Sequence, residues 1–284
     1  MGIRVRYENT LGVVEMTGGG ESELRITKMD GLGLVGREYN TVVYSGYDGQ
    51  ETVSSRALPR AITMAVEFCC HNIAEKLKNA LLVLNQKGIL VVETDGFSRR
   101  IFCNQVTVTD SERILKNRIS AMVIQFVCDS PYFEDAEDTV VALYKRVKLL
   151  ETPFSLPSMF GDIVIGANIY VLGTFSVEPI LTLYYPEELE KSESIVITNV
   201  TNGASIRLDY TPSKNDVVTV DIKNRKISSS VNGNLIQNLS DDTFLGDFVL
   251  EKGINVINLF AGDVSSGFIA ECKYNNLYGE AVIL

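Results

Sequence analysis

The residues that could do chemistry in this chain are few. Among 284 residues there is one histidine, His71, no tryptophan, and five cysteines at Cys69, Cys70, Cys103, Cys128 and Cys272. One histidine cannot build a multi-histidine zinc site, and as a general base it lacks carboxylate and nucleophile partners at any recognisable spacing. A Cys70–His71 nucleophile pair is disfavoured because adjacent residues on a helix or strand point apart. The cysteines are odd in number and show no C-x-x-C spacing, so they read as buried thiols made in a reducing compartment.

Three further patterns resemble binding motifs. Gly31, Gly33 and Gly36 spell G-x-G-x-x-G, a dinucleotide fingerprint that needs a strand before it and a helix after it. Here β-like REYNTVVYSG follows, so a flexible loop is the better reading. Gly18-Gly19-Gly20 runs into Glu21 and Glu23, which would repel a phosphate. The acidic stretches Glu134 to Asp138 and Glu187 to Glu193 lack the alternating order of a calcium loop and read as solvated faces. No catalytic residue, metal ligand or cofactor is expected, and the chain is not expected to be an enzyme.

The elements that carry these residues look mostly like strands. Composition is that of a folded chain, with 45% hydrophobic and 22% charged residues. The net charge of −10 is uneven: 18 basic against 19 acidic residues up to Leu150, then 8 against 17. That asymmetry suggests two modules, neither basic enough to grip nucleic acid. The start, MGIRVRYENT, has no apolar signal core, and no stretch approaches the roughly 18 apolar residues of a membrane span. Ile3 to Tyr7, Leu24 to Met29, Val42 to Tyr44 and Ala61 to Phe68 read as strands.

One segment has helical period. From Cys70 to Gly88, Ile73, Leu77, Ala80, Leu81 and Leu84 fall on one face, expected to pack on a sheet, with Gly88 as a left-handed C-terminal cap. Strands follow at Ile89 to Glu93, Arg100 to Thr109 and Arg118 to Cys128, the last stopped by Pro131. The predicted organisation is a β domain with one helix over 1–135, an extended connector over 136–160, and an antiparallel β-sandwich over 161–284. In the sandwich, Thr243 to Leu250 is one of eight expected strands, with turns at Asn202-Gly203, Asn232-Gly233 and Lys252-Gly253. Arg56 and Arg60 bracket Ala57-Leu58-Pro59; each either pairs with a carboxylate of its own domain or crosses a subunit interface.

In order and spacing, YDGQETVSSRALPRAITMAVEF, FVCDSPYF, GTFSVEPILTLYY, ITNVTNGASIRLDY, DVVTVDIKNRKISSSVNG, FLGDFVLEKGINVINLF and FIAECKYNNLYGE resemble the distal tail proteins of long-tailed bacteriophages. The resemblance implies an N-terminal β-sandwich-like ring domain and a C-terminal galectin-like sandwich. It also implies a virion structural role: a hexameric ring at the far end of the tail tube, through which DNA passes unbound. Implied partners are tail-tube and tape-measure proteins above, a tail-tip or tail-lysin protein below, and a receptor-binding protein on the sandwich. By the same resemblance Pro59 and Arg60 open a core strand, Pro131, Tyr132 and Phe133 end the ring domain, Asp221 sits in a sandwich strand, and Gly253 with Asn255 forms a late turn. The implied location is the virion tail tip, after synthesis in the bacterial cytoplasm. The alternative reading is a carbohydrate-binding module, with Tyr170, Tyr184, Tyr185 and Tyr210 as the aromatics that would meet a sugar.

Overall fold

The computed structural model describes residues 2–19, 23–68, 73–94, 96–113, 120–147, 162–188, 194–261 and 267–281. Cys69, Cys70 and His71, the connector from 148 onward to 161, and most of the acidic stretch 187–193 lie outside the described residues. The chain divides into two units: residues 1–136 with 277–284, and residues 137–276.

The first unit runs β1 (Arg4–Asn9), β2 (Gly12–Thr17), β3 (Leu24–Asp30), β4 (Arg37–Val42), β5 (Glu51–Ala57), β6 (Arg60–Phe68), α1 (Ile73–Leu84), β7 (Gly88–Thr94), β8 (Phe97–Cys103), β9 (Gln105–Arg113), β10 (Ser120–Cys128) and β11 (Phe133–Asp135). Among the described residues nine of these strands join one sheet in the order β11-β8-β7-β1-β2-β3-β6-β10-β9, while β4 and β5 pair only with each other. Strict alternation drives the arrangement. In β6, Arg60, Ile62, Met64, Val66 and Phe68 are buried and the residues between them are not. Val5 and Tyr7, Val14 and Met16, Ile101 and Cys103, and alternate residues from Met122 to Cys128 do the same on their strands, whereas on β7 Val91 is buried along with Leu90 and Val92.

These inward residues form one core, so the sheet must curl until its two arms face each other. Tyr7 on β1 meets Phe126 on β10 with ring centroids 5.2 Å apart, although three strands separate them in the sheet.

The helix departs from expectation in extent and in face. It covers Ile73–Leu84. Gly88 begins β7 instead of capping it: a Cβ there would stand 2.5 Å from the Glu8 carbonyl oxygen and 2.8 Å from the Tyr7 ring, so glycine is required by close approach. Ala80, Val83 and Leu84 are buried and Leu77 packs partly against the core, but Leu81 is 38% exposed. The buried stripe centres on Ala80, and Leu81 sits about 100° round the helix from it. Ile73 opens the helix; its side chain lies outside the described residues.

The second unit runs β12 (Thr139–Val147), β13 (Asp162–Ile165), β14 (Ala167–Val171), β15 (Ile180–Tyr185), β16 (Ile195–Asn199), β17 (Ser205–Leu208), β18 (Asp216–Asp221), β19 (Lys226–Ser229), β20 (Gly233–Asn234), β21 (Gly253–Phe260) and β22 (Ile269–Tyr274). Two antiparallel sheets result, β13-β12-β22-β15-β18-β19-β20 and β14-β21-β16-β17. Each buries alternate residues, Leu181, Leu183 and Tyr185 on β15 for example, and Ile257 and Leu259 on β21. The sheets are tied where Tyr274 Oη donates to the Tyr170 carbonyl at 2.9 Å.

Two expectations change here. Residues 139–147, expected within an extended connector, form β12, paired with both β13 and β22; the β-branched run Thr-Val-Val supplies the strand and the prolines come only later. Thr243 to Leu250 is not a strand: Leu245–Asp247 makes a single 3-10 turn, and only Leu250 bridges, to Val177.

The chain then returns to the first unit. β23 (Leu277–Tyr278) pairs antiparallel with β11, Phe133 opposite Tyr278 and Glu134 opposite Leu277, and so extends the first sheet to ten strands. The sandwich is therefore spliced between two neighbouring strands of the first unit, instead of continuing through residue 284.

Candidate functional site

The element most clearly unfinished is the β4–β5 ribbon. Residues from Arg37 to Arg56 are exposed on both faces. Tyr39 is 58% exposed, Val43 70%, Tyr47 81% and Val53 63%, and Leu34 at the root is 82% exposed. A two-stranded ribbon without a packed face is marginal alone in water. Polar pairs across the ribbon keep its register: Arg37 with Ser55 at 3.0 Å, Asn40 with Ser54 at 2.9 Å, and Arg56 with Glu38 at 2.6 Å. Exposed pairs of this kind contribute at most about 1 kcal/mol each. The sequence signal for the ribbon was the run Tyr39 to Tyr44 followed by Ser45-Gly46-Tyr47-Asp48-Gly49; the tip glycines Gly46 and Gly49 both take positive φ.

The root of the ribbon is held by Arg60. Its side chain is buried, and four carbonyls from distant parts of the chain accept its hydrogen bonds: Pro131 at 2.8 Å, Gly31 at 2.6 Å, Gly33 at 2.8 Å, and Gly279. The guanidinium also lies 4.7 Å over the Phe133 ring. Arg60 is thus turned into its own unit and not toward a subunit interface, the second of the two roles the sequence allowed; it is buried, and four of its five N–H donors are committed there. Two glycines of the apparent dinucleotide motif, Gly31 and Gly33, instead offer carbonyl acceptors to this cluster, while the Gly36 carbonyl accepts the Leu58 N–H. Gly31 has φ +88°, and a Cβ there would stand 2.2 Å from the Ala61 oxygen. Burial lowers the Arg60 pKa, opposed by the Cys128 sulfur and the Glu280 carboxylate.

A second arginine secures the returning segment. Arg99 donates to the Glu280 carbonyl, lies 3.8 Å from the Glu280 carboxylate, and stacks 3.8 Å over Tyr278 and 4.9 Å over Phe97. Tyr278 is pushed up to about 12, by burial first and then by Asp135. Ala281 N–H donates to the Leu32 carbonyl at 2.9 Å, closing the same clasp. Pro131 contributes its carbonyl, Phe133 its ring, and Tyr132 follows a Ser130 whose Oγ accepts its N–H at 3.5 Å. Pro59 stands between β5 and β6.

In the second unit the architectural positions are turn builders. Asp221 accepts from Asn224 N–H at 3.0 Å and Nδ2 at 2.7 Å, shaping the β18–β19 turn. Asn255 is buried; its Oδ1 accepts Glu251 N–H at 2.8 Å and its Nδ2 donates to the Glu251 carbonyl at 2.7 Å, with Gly253 at φ +97° between them.

The sequence reading missed Asp216. It is fully buried, and hydrogen bonds reach it from Tyr210 Oη at 2.6 Å, Ser229 Oγ at 2.7 Å, Ser230 Oγ at 3.0 Å and Val231 N–H at 3.4 Å. Burial works against ionisation, but the bonds from Tyr210, Ser229, Ser230 and Val231 hold the carboxyl below its usual range. Of the four tyrosines considered for sugar binding, Tyr185 and Tyr210 are buried, Tyr184 donates to Asn215 at 3.2 Å, and Tyr170 is 57% exposed opposite Ile254. Among the described residues no group of three or more metal-ligating side chains converges.

The fold is that of phage tail hub proteins. It matches the crystal structure of SPP1 Dit (gp 19.1), described as a paradigm of the hub adsorption apparatus in phages infecting Gram-positive hosts, with a TM-score of 0.66, 8% identity, and coverage of 97% of this chain and 98% of that one. It also matches a chain of the phage P2 baseplate in its activated conformation with Ca, with a TM-score of 0.52, 13% identity, and coverage of 97% and 98%. No curated protein matches by sequence. Residues 172–278 match the family model of the siphovirus-type tail component, C-terminal domain. Together these findings show a fold shared with solved phage tail and baseplate proteins and, over residues 172–278 alone, a sequence match to the siphovirus-type tail component.

Proposed function

We propose that the chain is the structural hub at the distal end of a phage tail tube, where copies close into a ring. In this reading the tail-tube and tape-measure proteins lie above the ring, and a tail-tip or tail-lysin protein lies below. The second unit, galectin-like by the resemblance, offers a docking surface to receptor-binding components. The hub is made in the bacterial cytoplasm and works at the virion tail tip, with six copies as the resemblance implies.

The observation that carries the proposal is the β4–β5 ribbon. It exposes Tyr39, Val43, Tyr47 and Val53 on a rigidly rooted projection, and a neighbouring copy in a closed head-to-tail ring would cover them. Arg56, 74% exposed at its side chain while paired with Glu38, lies on the same ribbon and is the arginine that remains available to an interface. A near-neutral first unit also lets a DNA duplex slide past without capture.

Native mass spectrometry and electron microscopy of the purified protein test the reading. Closed rings are expected, and replacing Tyr39, Val43 and Tyr47 with serine should yield monomers with an unchanged thermal melt. A strictly monomeric wild type that also fails to associate with tail-tube protein overturns it.

A further inference from the structure

Cys103 ends β8 and Cys128 ends β10, and both are fully buried free thiols. Their Sγ atoms share an S–H···S hydrogen bond at 3.4 Å. The backbone brackets the pair: Asn104 N–H donates to the Val127 carbonyl at 2.9 Å, and Asn104 Oδ1 accepts Asp129 N–H at 3.2 Å. The sulfurs need to approach by only roughly 1.4 Å to reach bonding distance.

The surroundings also distinguish the two thiols. Cys128 lies directly opposite Arg60 in the β10–β6 register. The hydrogen bond from Cys103 holds Cys128 below the usual thiol range; burial opposes this and the Arg60 guanidinium assists it. Cys103 is pushed up by the same hydrogen bond and by burial, so Cys128 supplies the thiolate.

We propose that Cys103 and Cys128 are a peroxide-responsive dithiol, reduced while the chain folds and joined by a disulfide once the protein meets hydrogen peroxide. The Cys128 thiolate attacks one peroxide oxygen; the O–O bond breaks, hydroxide leaves, and Cys128 becomes a sulfenic acid. The Cys103 sulfur then attacks Cys128 Sγ; the S–S bond forms, the S–OH bond breaks, and the departing hydroxide takes the Cys103 proton as water. The two thiols lose two electrons and the peroxide is reduced to water. Both side chains are fully buried, so the reaction proceeds through local opening, and a peroxide molecule needs a far smaller opening than a bulky disulfide oxidant. The product staples the β8 arm of the curled sheet to the β10 arm, independently of whether copies form a ring.

The test is peroxide treatment of the full-length protein, alkylation with N-ethylmaleimide under denaturing conditions, and peptide mapping. The expected result is a Cys103–Cys128 linked peptide that dithiothreitol abolishes, and a melting temperature raised by roughly 5–10 °C. In a Cys103→Ala variant, Cys128 should stop at the sulfenic acid and be captured by dimedone. Cys272, a buried thiol pushed up to about 12 by burial, should remain alkylatable throughout and serves as the internal control. The proposal is overturned if Cys103 and Cys128 stay alkylatable at peroxide doses that fully oxidise a free cysteine peptide in the same tube. Bridging to other cysteines, or a bridge that leaves the melting temperature unchanged or lower, overturns it equally.

Discussion

The two units each bury one isolated kind of charge, and they satisfy it in opposite ways. In the first, the cation Arg60 reaches carbonyls at Gly31, Pro131 and Gly279, separated from it by 29, 71 and 219 residues. In the second, the anion Asp216 is satisfied by partners no more than 15 residues away. One charge joins remote segments and the other knots a local turn region. A guanidinium suits the first task because its five donors fan out in a plane, whereas a carboxylate can gather several nearby hydroxyl and amide donors onto two oxygens.

That contrast predicts different kinds of damage. Arg60→Ala should cost about 4 kcal/mol, because a buried side chain and its four charge-assisted hydrogen bonds are lost together with its contact on the Phe133 ring, and lysine should recover less than half of it. Native-state hydrogen exchange should show the loss spread over β3, β6, β11 and β23; a loss confined to the start of β6 would contradict the clasp. Asp216→Ala should cost about 3 kcal/mol, with protection lost first in β18 and β19. The sign of the acid response follows from the lowered folded-state value. The Asp216 contribution is complete above the unfolded carboxyl value of about 3.9 and is lost as pH falls through the lower folded one. Acid titration of the wild type against Asp216→Asn checks this: the variant should start less stable and lose less on acidification.

The smaller effects sharpen the boundary between the units. Leu81→Ala should change stability by no more than about 0.5 kcal/mol in chemical denaturation, whereas Leu84→Ala should cost about 3 kcal/mol. Excising residues 137–276 and joining Ala136 to Leu277 through a short Gly-Ser turn should leave the exchange protection of β6 and β11 unchanged. Loss of protection there would mean that the clasp needs more than its own unit.

Much of this architecture was legible in alternation. β6 was legible because inward Ile62, Met64, Val66 and Phe68 differ in kind from Thr63 and Glu67 between them, and β10 as a long apolar run ended by Pro131. The helix was legible as a helix, but its buried side was not, since Leu77, Leu81, Leu82 and Leu84 offer apolar residues around most of its circumference and only packing selects among them. β23 was invisible because two residues, Leu277 and Tyr278, carry no period. The partners of Arg60 are backbone carbonyls, which have no sequence identity, so the residue stood out while its role did not. Asp216 looked like one acid in an acidic half; only the convergence of Tyr210, Ser229 and Ser230 in three dimensions sets it apart.

The splice between β11 and β23 has a consequence for how the protein is made. Gly279, Glu280 and Ala281 are translated after the whole of the second unit, yet they supply acceptors to Arg60 and Arg99 and a donor to Leu32. On the ribosome, the first unit must wait, its arginines incompletely paired, until the sandwich has emerged. A chain that stalls within the sandwich lacks β23 and the acceptors that follow it, and its first unit stays incomplete. Closure of the clasp thus marks the point at which translation has passed the end of the second unit.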